Sequence, residues 1–425
     1  MEKKSAILLF VQGGELMSRV YDEKLKDAGL LKIDWVSKRM PVLTNLSEYL
    51  KGRFDGIKIS MSIHLEAKTA YLAKVLKSSG AEVAICSSNP LTAQDDVSAG
   101  LASLGVNVFA RRGESETEHE ENIESTLAIG PDLVLDDGAD LVVTMVRKHP
   151  SIKVLCATEE TTSGLTRMRA LAREGKLPCP VIAVNDAQSK YLFDNRYGTG
   201  QSSWDGIVRT TNLTVCGKTV VIAGYGWVGR GLAMRAKGLG ARVVATEVNP
   251  IRAMEAYFDG CEVMEMKDAA RIGDIFVTAT GDVNIIDRRH FDLLKDGVIL
   301  CNAGHFDVEV SMVQLRSYAV SHREARNNIQ EYTLPSGKKI YVLGEGRLVN
   351  LVCADGHPAE IMDLSFSLQA LSLLYGLENG KSLAKDVVPV PQKVDLDVAR
   401  LKLESVGIVI DKLTEEQVHY LASWE

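Results

Sequence analysis

The sequence predicts an α/β protein built from two doubly wound parallel-sheet domains with a small C-terminal extension. Three observations lead there. The chain has 425 residues, past the size at which a single hydrophobic core stops growing. Apolar strand-like runs alternate with segments of helical spacing, the pattern of a mostly parallel sheet. That alternation occurs twice, over residues 56–186 and again over 217–302.

The first series opens at GIKISMSI (56–63), an apolar run bounded by glycine. EAKTAYLAKVLKSSG follows with apolar residues at helical spacing and a terminal glycine, a helix with its stop signal. AEVAICSSNP is a second strand, and VSAGLASLG with NVFARRG repeats the unit. DLVLDDGAD (132–140), KVLCATEETTSG (153–164) and PVIAVND (180–186) are further strands that end in polar loops. Ligands bind beyond the carboxyl ends of such strands, where His64, Asp137, Glu160 and Asn185 fall. The second series runs KTVVIAGYGWVGRG, ARVVATEVNP, CEVMEM, DIFVTATG and GVILCNAGH. The apolar helical segment 359–376 is expected to return to the first domain as a hinge. The domains are therefore placed at 17–200 (completed by 357–387) and 201–356, with Pro389 and Pro391 marking a linker into an extension, 388–425.

Composition is that of an ordinary enzyme: 46% hydrophobic, 25% charged and a net charge of −7, which argues against nucleic acid as the main partner. Seven cysteines are scattered without a C-x-x-C pair, so neither a disulfide framework nor a zinc site is expected, and a reducing cytoplasm is the default. No segment reaches the length of a membrane span. The start, MEKKSAILLFV, has too short an apolar run for a signal peptide. Gly13-Gly14-Glu15-Leu16 before Met17 reads as a translated ribosome-binding signal, and residues 1–16 are given no role.

Glycines 224, 226 and 229 of GYGWVGRG match G-x-G-x-x-G between a strand and a helix. The first permits the tight turn, the second lets the backbone approach a pyrophosphate, and the third allows close helix–strand packing. Glu247 ends the next strand about twenty residues on, as a carboxylate that binds ribose hydroxyls should, and it favours NAD over NADP.

The chain resembles the S-adenosyl-L-homocysteine hydrolase family, in its short prokaryotic branch, from about residue 32 to about 421. The resemblance is carried by SIHLEAKTA, NPLTAQDD, LDDGADL, EETTSG, VNDAQSKYLFDNRYGTGQS, AGYGWVGRG, NAGHFDVE and EGRLVNLVCADGHP. It implies a thioether hydrolase with a tightly bound NAD in each subunit, a small nucleoside thioether as substrate, and a homotetramer. In such an enzyme the ribose 3′-hydroxyl is oxidised, the C4′ proton becomes acidic, homocysteine thiolate is eliminated, water adds, and the hydride returns. Carried over position by position, Lys190 and Asp194 handle the 3′-hydroxyl proton, with Lys190 expected to have a lowered pKa beside a nicotinamide cation. Glu160 binds the ribose hydroxyls, Asp137 stands near C4′, and His64 and His305 serve the 5′ end. Glu66, Lys68 and Thr69 lie at the purine, with His357 bordering purine and cofactor. Thr161, Thr162 and Ser163 contact the nicotinamide riboside, and Asn350 its carboxamide. Asn195, Gly224, Gly226, Trp227, Val228, Gly229, Glu247, Arg252, Ala303, Gly304 and His305 complete the cofactor set.

Read without the family, several of these residues have plainer meanings. Asp136-Asp137 before Gly138 can be turn carboxylates, and Glu159-Glu160 before two threonines a helix-capping cluster. Lys190 and Asp194 at i,i+4 can be a surface ion pair, and His305 and His357 turn residues beside glycine. Two departures from the family pattern matter. Where adenosine-type members carry Thr and Glu or Gln, this chain has Glu66 and Lys68, which reverses both hydrogen-bonding polarities at the purine. Hypoxanthine, with N1–H as donor and O6 as acceptor, suits that pair, so S-inosyl-L-homocysteine is favoured over S-adenosyl-L-homocysteine; the alternative is that Glu66 and Lys68 pair with protein groups. Trp227 replaces an acidic residue of longer members inside the fingerprint. Two other functions compete with this one: a dehydrogenase with net NADH production, and a non-catalytic NAD-binding regulator that should have lost Lys190 or His64.

Overall fold

The computed structural model describes residues 8–12 and 15–424. In chain order the first eight strands are β1 (Leu8–Gln12), β2 (Glu15–Val20), β3 (Lys58–Ser62), β4 (Glu82–Cys86), β5 (Asn107–Phe109), β6 (Leu133–Asp136), β7 (Cys156–Glu159) and β8 (Val181–Ala183). The next eight are β9 (Thr219–Ala223), β10 (Arg242–Thr246), β11 (Glu262–Val263), β12 (Ile275–Thr278), β13 (Val298–Asn302), β14 (Ser321–Arg326), β15 (Ile329–Thr333) and β16 (Lys339–Leu343), and β17 (Val387–Pro389) follows. They form two sheets, ordered β1-β2-β5-β4-β3-β6-β7-β8-β17 and β11-β10-β9-β12-β13-β16-β15-β14.

Each sheet contains the same winding. Its strands start in the middle, run to one edge, return, and run to the other. The reversal falls between β3 and β6 in the first sheet and between β9 and β12 in the second, and both of these pairs are parallel. Helices cover both faces, which is why β4, β6, β7 and β9 are buried almost continuously rather than on alternate residues. At such a reversal the loops leave in opposite directions and open a crevice beyond the strand ends. The two crevices contribute to one cavity of about 830 Å³.

The apolar segment after residue 358 is one long helix, Ala359–Asn379. Its Phe366, Leu368 and Leu373 share a core with Ile59 and Met61 of β3, so it does return to the first sheet. The extension corrects the sequence reading. β17 pairs in parallel with β8, and the helix Gln392–Ser405 buries Val398 in that same core. The Asp395 carboxylate accepts from the backbone N–H groups of Gln188 and Ser189. Pro389 and Pro391 thus end a strand and precede a helix; they mark no linker, and residues 388–405 belong with the first sheet. Residues 406–424 are exposed.

Two hairpins escaped the sequence reading. The strands β14 to β16 are antiparallel at the edge of the second sheet, and β14 (SHREAR) is exposed throughout and mostly polar or charged, with no apolar alternation to announce it. At the other end β1 pairs antiparallel with β2, so residues that were given no role form an edge hairpin. Residues 1–7, 13 and 14, on which the translated-leader reading partly rests, lie outside the described residues.

Candidate active site

Loops after β3, β6 and β7 bring the predicted acid–base groups together. His64 follows β3 and Asp137 follows β6, side by side at the reversal. The Asp137 carboxylate lies between two imidazoles, 3.6 Å from His64 Nε2 and 3.7 Å from His305 Nδ1. Its Oδ1 is buried without a hydrogen-bond partner. His305 arrives from the other sheet, after β13, so this trio is assembled across the two halves of the molecule. The ligand-type atoms of His64, Asp137 and His305 lie within 4.8 Å of one another, although the sequence reading assigned no metal. Burial pushes His64 down to about 4, against the pull of Asp137, so its imidazole is neutral near neutral pH. The Thr92 hydroxyl donates to Asn89 O and lies 2.8 Å from His64 Nδ1. The other ring nitrogen, Nε2, faces Asp137.

A second buried cluster sits deeper. Lys190 Nζ is 3.4 Å from Glu160 and 3.3 Å from Asp194, and it donates to Asn195 Oδ1 at 2.8 Å. The i,i+4 pair is therefore no surface ion pair: both side chains are buried. Burial lowers the Lys190 pKa, but the carboxylates of Asp194 and Glu160 outweigh it and hold the ammonium above its ordinary value. The lowered value expected from the sequence does not come from the protein's own groups. Glu160 is pushed up to about 7 by burial and by the nearby Asp194 and Asp137 carboxylates, with Lys190 opposing. For Asp194, burial is outweighed by Lys190, His357 and the Ser365 hydroxyl, so it stays below the usual carboxylate range. His357 Nε2 lies 3.5 Å from Asp194 and 2.8 Å from the Thr199 hydroxyl.

At one end of the cavity the helix Ala67–Ser78 begins, and Glu66 is its N-cap, with backbone in the extended region. Its carboxylate accepts from the Lys68 and Thr69 N–H groups at 3.0 and 3.2 Å. Because Glu66 lies outside the helix, the rule that i and i+2 point apart does not bind it. Glu66 Oε2 and Lys68 Nζ are 2.6 Å apart, both line the cavity, and Lys68 also donates to Asp355 O at 2.8 Å. Both residues thus pair with protein groups, as the plainer reading held, while facing the cavity.

The second sheet supplies the other half. The helix Trp227–Gly238 starts directly after Gly226, with the third fingerprint glycine, Gly229, in its first turn. A Cβ on Gly229 would fall 2.0 Å from Gly224 O, so the helix packs on the strand only through glycine. Above Gly226 the approach is open: a Cβ there would meet only Arg252, at 4.0 Å. Glu247, at the end of β10, accepts from the N–H groups of Tyr225, Val248 and Asn249. Burial alone would raise its pKa, but those N–H groups and Arg252 hold it low. A backbone open at a helix N-terminus, beside an ionised carboxylate, is a donor–acceptor set that fits a dinucleotide. Trp227 lines the same wall, stacked on Tyr191 at 4.9 Å and under the Arg230 guanidinium at 4.3 Å.

The cavity is lined by every other predicted site residue: Thr161, Thr162, Ser163, Asn195, Val228, Ala303 and Gly304 join those already placed. Two predicted residues do not line it. Gly229 acts through packing. Asn350 is buried behind the wall, donates to the Ser202 hydroxyl at 3.3 Å, and keeps its Oδ1 unpaired. Sequence reasoning missed the buttresses. Gln369 donates to Glu160 at 2.6 Å, the Ser365 hydroxyl to Asp194 at 2.7 Å, and the Ser88 hydroxyl to Asp137 at 3.1 Å. Ser365 and Gln369 are polar residues one helical turn apart in a mostly apolar helix that also buries Asp363, Ser367 and Ser372.

Comparison with known proteins gives a consistent result. The model of the S-adenosyl-L-homocysteine hydrolase family matches residues 17–155, and that of the family's NAD binding domain matches 195–356. The chain is 54% identical over 410 residues to adenosylhomocysteinase of Thermococcus kodakarensis, covering 96% of this chain and 97% of that one. It is 53% identical over 412 residues to S-inosyl-L-homocysteine hydrolase of Methanocaldococcus jannaschii, covering 96% and 99%. Adenosylhomocysteinase of Thermotoga maritima is 51% identical over 403 residues, covering 94% and 100%.

Proposed function

The chain belongs to the S-adenosyl-L-homocysteine hydrolase family, and we propose that it cleaves an S-nucleosidyl-L-homocysteine to nucleoside and L-homocysteine, with the inosyl compound preferred. The observation that carries this reading is the joining of two buried acid–base clusters to a dinucleotide cradle in a single cavity. When bound, NAD supplies a reversible two-electron oxidation at the ribose 3′ carbon, taken and restored within one turnover. Gly224, Gly226 and the helix start at Trp227 would hold its pyrophosphate, Glu247 its ribose, and Thr161, Thr162 and Ser163 its nicotinamide end.

The residues divide the remaining work by position. Lys190, clamped between Glu160 and Asp194, passes the 3′-hydroxyl proton, while Glu160 orients the ribose. A carbonyl at C3′ acidifies the C4′ proton, which Asp137 accepts. The C5′–S bond then breaks. The neutral imidazole of His64, with His305 beside it, holds the water that adds at C5′ and carries the proton to the departing sulfur. Two halves closing over the sugar exclude bulk water.

The purine preference rests on Glu66 and Lys68, because relatives of nearly equal identity carry both substrate names. The Lys68 ammonium has three protons; Asp355 O and Glu66 take two, and the third is left for O6 of hypoxanthine. Glu66 keeps acceptor capacity for N1–H. Adenine would satisfy the pair only in reverse order, with Lys68 on N1 and Glu66 on the 6-amino group. The test is kcat/KM for both thioethers, read by thiol release alongside the absorbance of reduced nicotinamide. Preference for the inosyl compound of about tenfold or more is expected, with thiol released and no net reduction. Equal or better turnover of the adenosyl compound removes the preference, and steady accumulation of reduced cofactor removes the hydrolase reading. We further place the enzyme in the cytoplasm as a homotetramer. Unpaired cysteines support the first, and exposed apolar side chains on the extension, such as Val409, Leu421 and Trp424, support the second. Light scattering that returns a monomer would remove the tetramer.

A further inference from the structure

Glu159 takes no part in the chemistry assigned above, yet four donors converge on it. It is fully buried at the end of β7. Its Oε1 accepts from Gly138 N at 2.9 Å, Thr161 N at 2.9 Å and the Thr161 hydroxyl at 2.7 Å, and its Oε2 accepts from Ala139 N at 3.0 Å. These donors sit where the helices Asp140–Lys148 and Thr162–Arg173 begin, and both helix N-termini favour negative charge.

We propose that Glu159 is a positioning residue for the reaction, holding the turn that suspends Asp137 between His64 and His305. The turn needs holding. Ala139 has φ 69°, in the left-handed region that a side chain with a Cβ disfavours, and Gly138 has φ 107°. The turn also packs directly against the catalytic imidazole: a Cβ on Gly138 would lie 2.7 Å from His305 Nε2. If the turn relaxed to an ordinary conformation, Asp137 would leave both rings. The same carboxylate fixes Thr161, the N-cap of the helix that opens with Thr162 and Ser163. One buried carboxyl group therefore holds the Asp137 turn and caps the neighbouring helix start. It also accounts for the glycine that closes the EETTSG run. A Cβ on Gly164 would fall 2.2 Å from Glu159 Cδ, so any side chain there expels the carboxylate.

The inference rests on the assignment of Asp137 to the C4′ proton, so the experiment compares Glu159→Gln with Asp137→Asn and the unaltered holoenzyme. Glutamine keeps the length but turns an amide N–H toward one set of backbone donors. Hydrolysis of S-inosyl-L-homocysteine gives kcat and KM, while inosine alone gives exchange of the C4′ proton in heavy water and reduction of bound nicotinamide. For Glu159→Gln, kcat and C4′ exchange should both fall about 100-fold, since a displacement of about 1 Å has that effect. KM and nicotinamide reduction should stay within about threefold. A uniform loss of all activities together with NAD, or no loss, overturns the proposal. If Asp137→Asn leaves C4′ exchange intact, the underlying assignment fails instead. Should Glu159→Gln not fold, Gly164→Ala makes the same test by displacing the carboxylate. If neither folds, Glu159 is purely architectural and the proposal falls.

Discussion

The two halves of the cavity are built from the same strand order and do opposite things with charge. Beyond the first sheet, Asp137, Glu160 and Asp194 crowd around one lysine and are all nearly buried. Beyond the second sheet the fingerprint glycines bare the backbone, the charged lining residues such as Arg252, Glu265 and Asp282 are exposed, and the half-buried carboxylate, Glu247, is already satisfied by three N–H groups. The first half stores repulsion that a polar substrate can relieve and spend on proton transfer. The second half presents preorganised donors and bears almost no electrostatic cost. On the proposed function one topology serves as reactor in one half and as holder in the other, and substitutions in the two halves should fail in different ways.

Lys190→Met should break the reactor most severely. It removes the ammonium paired with both Glu160 and Asp194 and the group assigned to the 3′-hydroxyl proton. A fall in kcat of about 1000-fold or more is expected, as for loss of a proton-transfer group combined with two stranded buried carboxylates. NAD content of the purified protein should be unchanged, because Lys190 belongs to the other half. Activity within tenfold of the parent would show that another group handles that proton.

Glu247→Ala should break the holder instead. The alanine loses the ribose contact and frees three backbone N–H groups, so NAD affinity should drop by about 10- to 100-fold, which is the worth of about 1.4–2.8 kcal/mol. Added NAD should restore kcat, and equilibrium dialysis of NAD is the direct measurement. A lasting loss of kcat at saturating NAD would mean that the two halves are not separable as described.

The comparison also explains what could be read from the sequence. The holder was legible because G-x-G-x-x-G and Glu247 are local: a turn, a helix start and a strand end within about twenty-five residues. The reactor's residues were legible through their family motifs, but their meeting was not. His64 and His305 are 241 positions apart in sequence and belong to different sheets, and only the fold brings their rings to 5.5 Å. Spacing alone gave Lys190 and Asp194 a surface ion pair; burial decided otherwise. The Pro389 and Pro391 signals were read as a linker because proline's usual meaning is local, whereas β17 is fixed by pairing with β8 from two hundred residues earlier. Glu159 was grouped with Glu160 as a possible cap cluster. It turned out that one of the pair holds two helix starts and the other faces Lys190.

The smallest expected effect tests whether the crowding itself costs stability. Glu160 has its folded pKa raised to about 7, mainly by burial and then by neighbouring carboxylates. An acid whose folded pKa lies above its unfolded value lowers stability progressively as pH rises from about 4.3 to about 7, because the folded state resists ionisation. Above that window the full cost applies, and below it none does. Glu160→Gln removes the charge, keeps an acceptor for Gln369, and gives up the attraction to Lys190. With the loss of that attraction set against it, the net gain at pH 8 should be about 1–3 kcal/mol at most, a rise in Tm of only a few degrees for a chain of this size. The rise should vanish at pH 4.5, and activity should fall at both pH values. The corresponding loss of Glu247, whose pKa is held low, should lower Tm at pH 8. If Glu160→Gln instead destabilises the protein at pH 8, the Lys190 attraction outweighs the carboxylate repulsion, and the first half is a satisfied ion network rather than a strained one.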